Sequence, residues 1–386
     1  MSVVKMGVIG YGNMGTTHCK NIAEGKVCGM ELAAICDKSE EREKAAKETH
    51  PSVPFFKNAE ELMKSGTCTA VLIAVPHYDH PFLAQMAFEC GLDVIIEKPA
   101  GVYTKQVLEM NKAAKKSDKL FGIMYNQRTN PMYQKVRQMV QSGDLGAIKR
   151  VSWTVTDWYR PQAYHDSAAW RSTWKTEGGG TLINQNPHQL DLWQWMFGMP
   201  DKITSFVSFG KYYDIEVEDD VTAVFEYKNG MTGTYITSTG EYPGTNRLEI
   251  ACDMGKIVIE NDEMIFYRNV ISEREHNEKN KNAFGKPECW KCEVPVSGSG
   301  EQHVGILKDF VKAKNSGESL LAPGEEGVLG LTISNAIHLS AWKGETVDVN
   351  NFPHEEFYSI LQEKIKNSTV DKSGFASKVS DTEGTY

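Results

Sequence analysis

The chain has 386 residues, of which 40% are hydrophobic and 24% charged, and its formal net charge is −9. This length predicts two globular domains, the negative charge disfavours binding to nucleic acid, and no apolar run is long enough to span a membrane. The N-terminus runs straight into a predicted strand without a signal-peptide pattern. With eight scattered cysteines, these features predict a cytoplasmic protein with neither a nucleic-acid nor a membrane partner.

The first predicted strand, residues 5–10, leads into a glycine-rich turn and then into a helix over residues 16–24. The turn, residues 10–15, reads GYGNMG, and in this G-x-G-x-x-G spacing the glycines let the backbone approach a pyrophosphate at the helix N-terminus. A second strand, residues 32–36, ends at Asp37, 22 positions after Gly15, where a carboxylate binds the ribose hydroxyls of NAD. Asp37 repels a 2′-phosphate, so we expect NAD, although neighbouring Lys38 leaves NADP possible.

Strands and helices continue to alternate as far as residue 125. The further predicted helices cover residues 39–47, 59–64, 81–90 and 105–116, and the further strands cover residues 69–75, 94–96 and 120–125. Strands that alternate with helices in this way form parallel sheets with helices on both faces. The sequence therefore predicts an N-terminal α/β domain over residues 1–125 with a doubly wound parallel sheet.

The strand over residues 94–96 is β-branched throughout and stops at Glu97, Lys98 and Pro99. Proline cannot donate to a sheet ladder, so the strand ends there. Ligands of open α/β sheets bind just beyond the carboxyl ends of the strands, and Lys98 is therefore placed to meet a substrate. A solvated charge at a strand end is the alternative interpretation of the same residues.

After residue 125 the pattern changes to a polar connector, a helix over residues 132–141 and a run of strands. The strands cover residues 148–159, 203–213, 221–227, 232–239, 248–252 and 256–259, with hairpin signals at residues 229–230 and 253–255. Helices follow over residues 304–315 and 325–342. We therefore predict an α+β domain over residues 126–365 with a mostly antiparallel sheet, followed by a polar tail over residues 366–386.

Two shorter segments of this domain have less regular patterns. Residues 273–286 are charged and poor in glycine, and we interpret them as a long surface loop. Cys289 and Cys292 form a C-x-x-C pair without a second pair at zinc-finger spacing, so we expect no metal site there.

A second group of functional residue types lies between the early strands of this domain. A tryptophan–arginine pair, residues 170–171, precedes three consecutive glycines, residues 178–180, which permit a close backbone approach. On a helix, Asn184 and His188 would share a face, although a proline between them makes this less certain. Histidine titrates near neutral pH, so His188 is a candidate proton acceptor. A hydrogen-bonded structural histidine is the alternative.

In this order, the motifs resemble those of the glucose–fructose oxidoreductase/inositol dehydrogenase (Gfo/Idh/MocA) family of nicotinamide-dependent oxidoreductases. The resemblance extends from residue 5 to about residue 349 and rests on the glycine turn, Ala74-Val75-Pro76 with His80, Glu97-Lys98-Pro99, Trp170-Arg171, the triple glycine with His188, Glu326-Gly327, Ser340-Ala341 and Gly344. It implies an N-terminal Rossmann domain, a C-terminal domain with a large open sheet, and nicotinamide-dependent oxidation of a hydroxyl on a sugar or polyol.

The resemblance also implies roles for individual residues. The family's lysine corresponds to Lys98, its histidine to His188, and the arginine beside its nicotinamide to Arg171. The family's usual aspartate, four residues before the histidine, is Asn184 here, so the chain departs from the family's Asp–His pair. An asparagine can orient a substrate hydroxyl or the imidazole, but it has no negative charge with which to stabilise an imidazolium.

We accordingly predict three groups of site residues and no metal site. The expected catalytic residues are Lys98, His188 and Asn184. The expected cofactor contacts are Gly10, Gly12, Asn13, Met14, Gly15, Asp37, Lys38, Ala74, Pro76, His77, His80, Glu97, Lys98, Asn126, Trp170 and Arg171. The expected substrate contacts are Lys98, Arg128, Asp157, Trp158, Tyr164, His165, Asn184 and His188.

Three functions fit this set of residues. The first is an NAD-dependent dehydrogenase acting on a ring hydroxyl of a sugar, glycoside or inositol, with His188 as base and Lys98 stabilising the oxyanion. The second is glycoside cleavage through transient oxidation at C3 and elimination, and the third is a non-catalytic NAD-binding protein. We also expect a homodimer or homotetramer, because an open sheet covered by helices on one face leaves its other face exposed.

Overall fold

The computed structural model describes residues 2–296, 298–370 and 372. Within this part of the chain the strands form two sheets, one of six strands and one of nine. The six-stranded sheet is parallel and consists of β1 (Val4–Ile9), β2 (Met30–Cys36), β3 (Phe55–Phe56), β4 (Ala70–Ile73), β5 (Asp93–Ile96) and β6 (Phe121–Ile123). Their order across the sheet is β3-β2-β1-β4-β5-β6, which is that of a doubly wound Rossmann sheet.

Helices connect these strands and pack against the sheet. They are α1 (Asn13–Ala23), α2 (Glu40–Thr49), α3 (Ala59–Lys64), α4 (His80–Glu89) and α5 (Thr104–Ser117). Strands β4 and β5 are buried along their whole length, as uninterrupted apolar sequences predict for central parallel strands. Capping side chains set the starts of two helices, because Ser39 accepts a hydrogen bond from the first turn of α2 and Asn58 does the same for α3.

The C-terminal part begins with α6 (Pro131–Ser142) and contains the nine-stranded sheet. Its strands are β7 (Ile148–Val155), β8 (Lys202–Phe209), β9 (Glu218–Glu226), β10 (Thr232–Ser238), β11 (Asn246–Cys252), β12 (Gly255–Glu260), β13 (Glu263–Asn269), β14 (Cys289–Glu293) and β15 (Val347–Asp348). They follow the order β14-β13-β12-β11-β7-β10-β9-β8-β15. Neighbouring strands are antiparallel, except that β7 and β10 are parallel.

Helices cover one face of this sheet and form the second core with it. The helices of this part are α7 (Gln162–His165), α8 (Pro187–Phe197), α9 (Glu273–Lys279), α10 (Gln302–Ser316), α11 (Gly327–Lys343) and α12 (His354–Asn367). Trp193 of α8 packs against Trp153 of β7 and Phe225 of β9, and all three rings are fully buried. On the opposite face Phe206 is 74% exposed and Val224 39% exposed, so this face of the sheet is open.

The predicted fold class is confirmed, because a parallel Rossmann sheet is joined to an α+β part with a mostly antiparallel sheet. The prediction of a long loop over residues 273–286 is wrong for residues 273–279, which form α9, whereas residues 280–286 contain no helix or strand. Helix α9 buries no residue and is capped by Ser272. A short helix without an apolar stripe has no hydrophobic periodicity by which the sequence would reveal it.

The end of the described chain also differs from the prediction. Helix α12 continues to Asn367, past the predicted start of the polar tail at residue 366. Residue 371 and residues 373–386 of that predicted tail lie outside the described residues. No helix in the described part of the chain is long and apolar enough to cross a membrane, and no three His, Cys, Asp or Glu side chains there come together as a metal site.

Helix α10 joins the two parts of the molecule. Ile306, Leu307 and Phe310 belong to the hydrophobic core of the N-terminal sheet, although the sequence places them in the predicted domain over residues 126–365. A β-bridge between Gly122 and Pro323 adds a second connection. The carboxyl ends of β4 and β5 lie against the irregular stretch between β7 and α8, where His77 contacts Glu177 and Lys98 contacts Asn184.

Candidate active site

Lys98 lies at the junction of the two parts, directly after β5. Its Nζ donates a hydrogen bond of 2.9 Å to the backbone carbonyl of Asn184, a residue of the C-terminal part. Burial lowers the pKa of Lys98 from its usual value, while the negative charge of Glu97 opposes this effect and the positive charge of Arg171 adds to it. An ammonium carries three hydrogens, and the contact with Asn184 uses one of them.

Glu97 points away from this junction, into the N-terminal part. Its Oε1 lies 2.6 Å from Nε2 of His18 on α1, and its Oε2 accepts the backbone N–H of Lys98 at 3.1 Å. Burial works to raise the pKa of this carboxyl, but the hydrogen bond with His18 and the nearby positive charge of Lys98 bring it down to about 2. Glu97 is therefore charged at neutral pH, and it fixes the backbone of Lys98.

His188 lies in the first turn of α8, which opens at Pro187. Its side chain is buried, and neither Nδ1 nor Nε2 has a hydrogen-bond partner among the described residues. Burial and the charge of Lys98 lower the pKa of His188 well below its usual value, so the ring is neutral at neutral pH and can accept a proton. Because a buried polar group without a partner costs about 1–3 kcal/mol, these two nitrogens point to a bound ligand.

Asn184 does not lie on α8, so the prediction that it shares a helical face with His188 is wrong. Residues 181–185 form turns, and Pro187 occupies the first position of the helix. Proline favours this position because its missing N–H is not needed there. Asn184 therefore reaches the junction from the turn that precedes the helix.

The triple glycine folds the chain into this turn. Gly178 has a φ of +88°, and a Cβ on it would lie 2.3 Å from Cγ1 of Val102, so this position requires glycine. Glu218 stabilises the turn with two hydrogen bonds. Its Oε2 accepts the backbone N–H of Gly180 and its Oε1 accepts that of Leu182, each at 2.9 Å. The sequence analysis missed Glu218, which belongs to β9 and has no local motif that connects it with the glycines.

A buried polar cluster surrounds the side chain of Asn184. The hydroxyl of Tyr164 accepts hydrogen bonds from Nη1 of Arg171 at 2.6 Å and from Nδ2 of Asn184 at 3.2 Å. The side-chain amide of Gln185 lies 3.1 Å from the same hydroxyl. The amide of Asn184 also donates to Oε1 of Glu177. The sequence analysis missed Glu177, although a carboxylate directly before a glycine-rich turn is a signal that could have been used.

Glu177 is a buried acid with an unusual proton affinity. Burial raises its pKa to about 7, although the positive charge of Arg171 and the hydrogen bonds from Ser172 and Asn184 oppose this. Its backbone carbonyl lies 3.0 Å from Nδ1 of His77, which follows β4. The same residue therefore contacts the N-terminal part through its backbone and the Asn184 cluster through its carboxylate.

The glycine turn between β1 and α1 has the shape of a phosphate-binding loop. A Cβ on Gly10 would lie 2.3 Å from the carbonyl oxygen of Ala74, and one on Gly15 would lie 1.8 Å from that of Gly10. These two glycines are therefore required by packing. A Cβ on Gly12 would meet nothing within 4 Å, so the space above Gly12 is available to a ligand at the N-terminus of α1.

Asp37 follows β2 beside this turn. Its Oδ2 accepts the backbone N–H of Tyr11 at 2.8 Å, and its Oδ1 accepts that of Ser39 at 2.9 Å. Each carboxylate oxygen has a further lone pair, so both can also accept hydrogen bonds from ribose hydroxyls. The glycine turn and Asp37 together fit a dinucleotide with an unmodified ribose.

Arg128 is a predicted substrate contact whose guanidinium the structure pairs with protein groups instead. Its guanidinium is buried, binds both carboxylate oxygens of Asp191 at 2.8 and 2.6 Å, and lies 2.6 Å from Glu326. It also donates to the backbone carbonyl of Leu321 at 3.0 Å. Because these partners occupy the guanidinium, Arg128 joins elements of the protein and is not available to a substrate hydroxyl.

Of two further predicted histidines, His80 is held by protein groups at both ring nitrogens and His165 at one, since Nε2 of His165 has no hydrogen-bond partner among the described residues. Nδ1 and Nε2 of His80 lie 2.8 and 2.7 Å from the carbonyl oxygens of Pro99 and Val75, so this ring braces the two strand-end loops and offers no free nitrogen to a cofactor. Nδ1 of His165 lies 2.7 Å from Oγ of Ser172, and burial lowers the pKa of His165 to about 4.

The other predicted contacts lie in both parts of the molecule. His77 packs edge-on against Trp170, with ring centroids 5.6 Å apart, and the buried Asn126 donates to Gln302 at 2.8 Å. Asp157 accepts a hydrogen bond of 3.1 Å from Asn246. Asn13 and Met14 lie on the glycine turn, and Lys38 lies beside Asp37. Pro76 follows β4, and Trp158 follows β7.

Two family descriptions match the sequence. The model of an oxidoreductase family with an NAD-binding Rossmann fold matches residues 4–125, and the GFO/IDH/MocA C-terminal domain matches residues 133–258. The first match contains the glycine turn, Asp37 and Lys98, and the second contains Asn184 and His188. Both halves of the candidate site therefore lie in matched segments.

Individual proteins are similar to the chain over different lengths. Myo-inositol 2-dehydrogenase of Thermotoga maritima is 23% identical over 86% of this chain and 95% of its own. Inositol 2-dehydrogenase of Corynebacterium glutamicum is 31% identical, but the match covers only 38% of this chain and 43% of that relative. The structure of levoglucosan dehydrogenase with NADH and levoglucosan has a TM-score of 0.75 at 21% identity and covers 90% of this chain and 100% of its own, a likeness of fold.

Proposed function

Because the chain belongs to the Gfo/Idh/MocA family of oxidoreductases, we propose that it is an NAD-dependent dehydrogenase acting on a ring hydroxyl of a sugar, glycoside or inositol. The observation that carries this proposal is the meeting of Lys98 with the C-terminal part, where it binds the carbonyl of Asn184 at 2.9 Å. The charge of Lys98 acts on His188, whose ring nitrogens both lack a partner among the described residues. The inositol dehydrogenases among the relatives support the choice of a polyol.

In the proposed reaction, the residues of this chain bind the hydroxyl, remove its proton and stabilise the resulting charge. NAD, when bound, supplies the hydride acceptor. His188 accepts the hydroxyl proton, because burial and Lys98 keep its imidazole neutral. Lys98 donates a hydrogen bond to the oxygen on which negative charge develops. Glu97 supplies the fixed negative charge that favours the protonated form of Lys98.

The cofactor proposal rests on two features of the N-terminal part. The space above Gly12 admits a pyrophosphate to the N-terminus of α1, and Asp37 has lone pairs left for both ribose hydroxyls. A 2′-phosphate would place negative charge against the Asp37 carboxylate, so NAD is preferred to NADP. The positive charge of the neighbouring Lys38 would attract that 2′-phosphate and so raise the affinity for NADP.

We further propose a homodimer or homotetramer formed through the open face of the nine-stranded sheet. Phe206 and Val224 lie on neighbouring strands of that face, and both are exposed. Exposed apolar side chains grouped on one sheet face are typical of contact surfaces. Light scattering at about micromolar concentration tests this, and a single monomeric species there would contradict it.

The function is tested by measuring NADH formation over a panel of sugars, glycosides and inositols. The proposal predicts turnover with at least one of them, with NAD preferred to NADP, and loss of that turnover in Lys98→Ala. A panel without any turnover, although NAD binds, would contradict the dehydrogenase. Release of free sugar from a glycoside without net NADH would instead identify redox-assisted cleavage.

A further inference from the structure

The side chain of Asn184 is held in one orientation by its neighbours. A carboxamide has a donor end and an acceptor end, and the hydrogen-bond partners decide which end faces which way. Here Nδ2 donates to Oε1 of Glu177 and to the hydroxyl of Tyr164. Above its pKa Glu177 is ionised and has no hydrogen to donate, so only the NH₂ end of Asn184 can then face Glu177. Its Oδ1 is thereby turned away from Glu177.

Oδ1 is the polar atom of Asn184 that remains for a substrate. The side chain is partly exposed, and Oδ1 accepts no hydrogen bond from the described residues. The backbone carbonyl of the same residue binds Nζ of Lys98 at 2.9 Å. The free acceptor therefore belongs to a residue that directly contacts the proposed catalytic lysine.

We propose that Glu177 is a positioning residue, which orients the carboxamide of Asn184 so that Oδ1 accepts a hydrogen bond from a second hydroxyl of the substrate, next to the one that reacts. This inference rests on the proposed dehydrogenase function and specifies its substrate class as a diol. Asn184 thus supplies the acceptor, and the charge that the family's aspartate would carry lies on Glu177, one side chain further from the substrate.

The surroundings of Glu177 are built to hold its carboxylate. Glu177 is 2% exposed, and its Oε2 accepts the backbone N–H of Ser172. Ser172 has a φ of +62°, a left-handed conformation that is uncommon for a residue other than glycine and that persists where surrounding contacts enforce it. The backbone of Glu177 also contacts Nδ1 of His77 at 3.0 Å.

Protonation of Glu177 would release this orientation. A protonated carboxyl can donate to Oδ1 of a rotated carboxamide, which then presents its NH₂ end to the substrate. The charged and titratable groups that act on Glu177 or are affected by it are Arg171, Glu218, Lys98, Tyr164 and His77. Since burial raises the pKa of Glu177 to about 7, binding of the diol weakens as pH falls through that value. The limb due to His188 lies at lower pH.

Three variants test the orientation by kinetics with NAD and the panel compound that reacts fastest. In Glu177→Gln, either end of the new amide can pair with Asn184, so we expect KM for that compound to rise roughly tenfold, with NAD affinity unchanged. Asn184→Asp places two carboxylates against each other and should be impaired as well. The double variant Glu177→Gln/Asn184→Asp reverses the pair, keeps an acceptor towards the substrate, and should recover most of the lost affinity. Thermal unfolding of all three separates this effect from loss of the fold.

Two kinetic results would overturn the proposal. One is a double variant with a higher KM than both single variants, and the other is a Glu177→Gln enzyme with unchanged KM and an unchanged pH profile. The proposal also predicts that the change of KM with pH near neutrality disappears in Glu177→Gln. A change that persists in this variant would belong to another group and contradict the proposal. A deoxy analogue that lacks the neighbouring hydroxyl should bind the parent more weakly than the full substrate does. The difference in affinity between the two compounds should be smaller in Glu177→Gln.

A second measurement does not depend on turnover. Selective ¹⁵N labelling of asparagine allows the side-chain NH₂ signal of Asn184 to be followed by NMR, with Asn184→Asp as the assignment control. We expect this signal to titrate at about the pKa of Glu177, near 7, and to lose that titration in Glu177→Gln. Such a titration without any turnover on the panel would leave the orienting role standing and contradict the proposed function. A signal insensitive to both pH and Glu177→Gln would overturn the orienting role itself.

Discussion

The N-terminal half of the candidate site rests on regular strands, whereas Asn184 and its polar neighbours in the C-terminal half lie on mostly irregular backbone between residues 156 and 186. Lys98 follows β5, a strand buried along its whole length, and its position follows from the sheet. The turn that carries Asn184 is held instead by buried side chains, chiefly Glu218 and Glu177. The cofactor half is thus fixed by local sequence and the substrate half by long-range polar contacts, so substrate choice can change without disturbing NAD binding.

The largest effect that this comparison predicts comes from removing the residues that meet across the junction. Lys98→Ala and His188→Ala should each lower turnover by at least about a hundredfold, since general acid–base assistance is typically worth that much. The affinity for NAD should stay within a few-fold of the parent, because neither residue holds the glycine turn. Steady-state rates and NAD titration by fluorescence measure the two quantities, with the exposed Lys112→Ala as control.

The two residues should also act as a unit. We expect the double variant to be little slower than the slower single variant, because groups that serve one step do not contribute independently. Effects that multiply in the double variant would mean that Lys98 and His188 serve different steps.

The pH dependence separates their roles. Because burial and Lys98 lower the pKa of His188 well below its usual value, the imidazole is neutral and able to accept a proton at neutral pH. The rate of oxidation at saturating substrate therefore falls when the imidazole becomes protonated in acid. His188→Ala should lose this acidic limb. If it keeps a near-normal rate and pH profile, the base lies elsewhere, and Asp157 and His165 are the next candidates.

A smaller effect should follow from weakening the turn that carries Asn184. Glu218→Gln replaces one of the two acceptors for Gly180 and Leu182 with a donor, and leaving a buried N–H unpaired costs about 1–3 kcal/mol. We expect a lower free energy of unfolding in denaturant and a rise in KM for the substrate, with NAD affinity preserved. Loss of NAD affinity of the same size would show that the two halves are not built independently.

The cofactor half is tested separately by Asp37→Ala. Hydrogen bonds to a charged group are worth about 1.5–3 kcal/mol each, so NAD affinity should fall more than tenfold and the preference against NADP should narrow. Turnover at saturating NAD should change little, because Asp37 lies beside the glycine turn and away from Lys98. Unchanged affinity for both cofactors would refute the assignment of Asp37.

The same contrast explains what the sequence could predict. The parallel strands, the glycine turn, Asp37 and Lys98 follow from hydrophobic runs and motifs of neighbouring residues. Glu218 and the ion pair of Arg128 with Asp191 depend on contacts between elements far apart in the chain, and no local pattern indicates them. A proline between Asn184 and His188 makes a shared helical face less certain, but only the structure places Pro187 at the first position of α8, which separates Asn184 from the helix.

The most direct test of the central claim is a crystal structure with NADH and the panel compound that reacts fastest. The account predicts that one hydroxyl oxygen lies within about 3.2 Å of both Nζ of Lys98 and a ring nitrogen of His188, with its carbon facing the nicotinamide. A structure in which the hydroxyl nearest the nicotinamide contacts Asp157 or His165, and neither Lys98 nor His188, would contradict it.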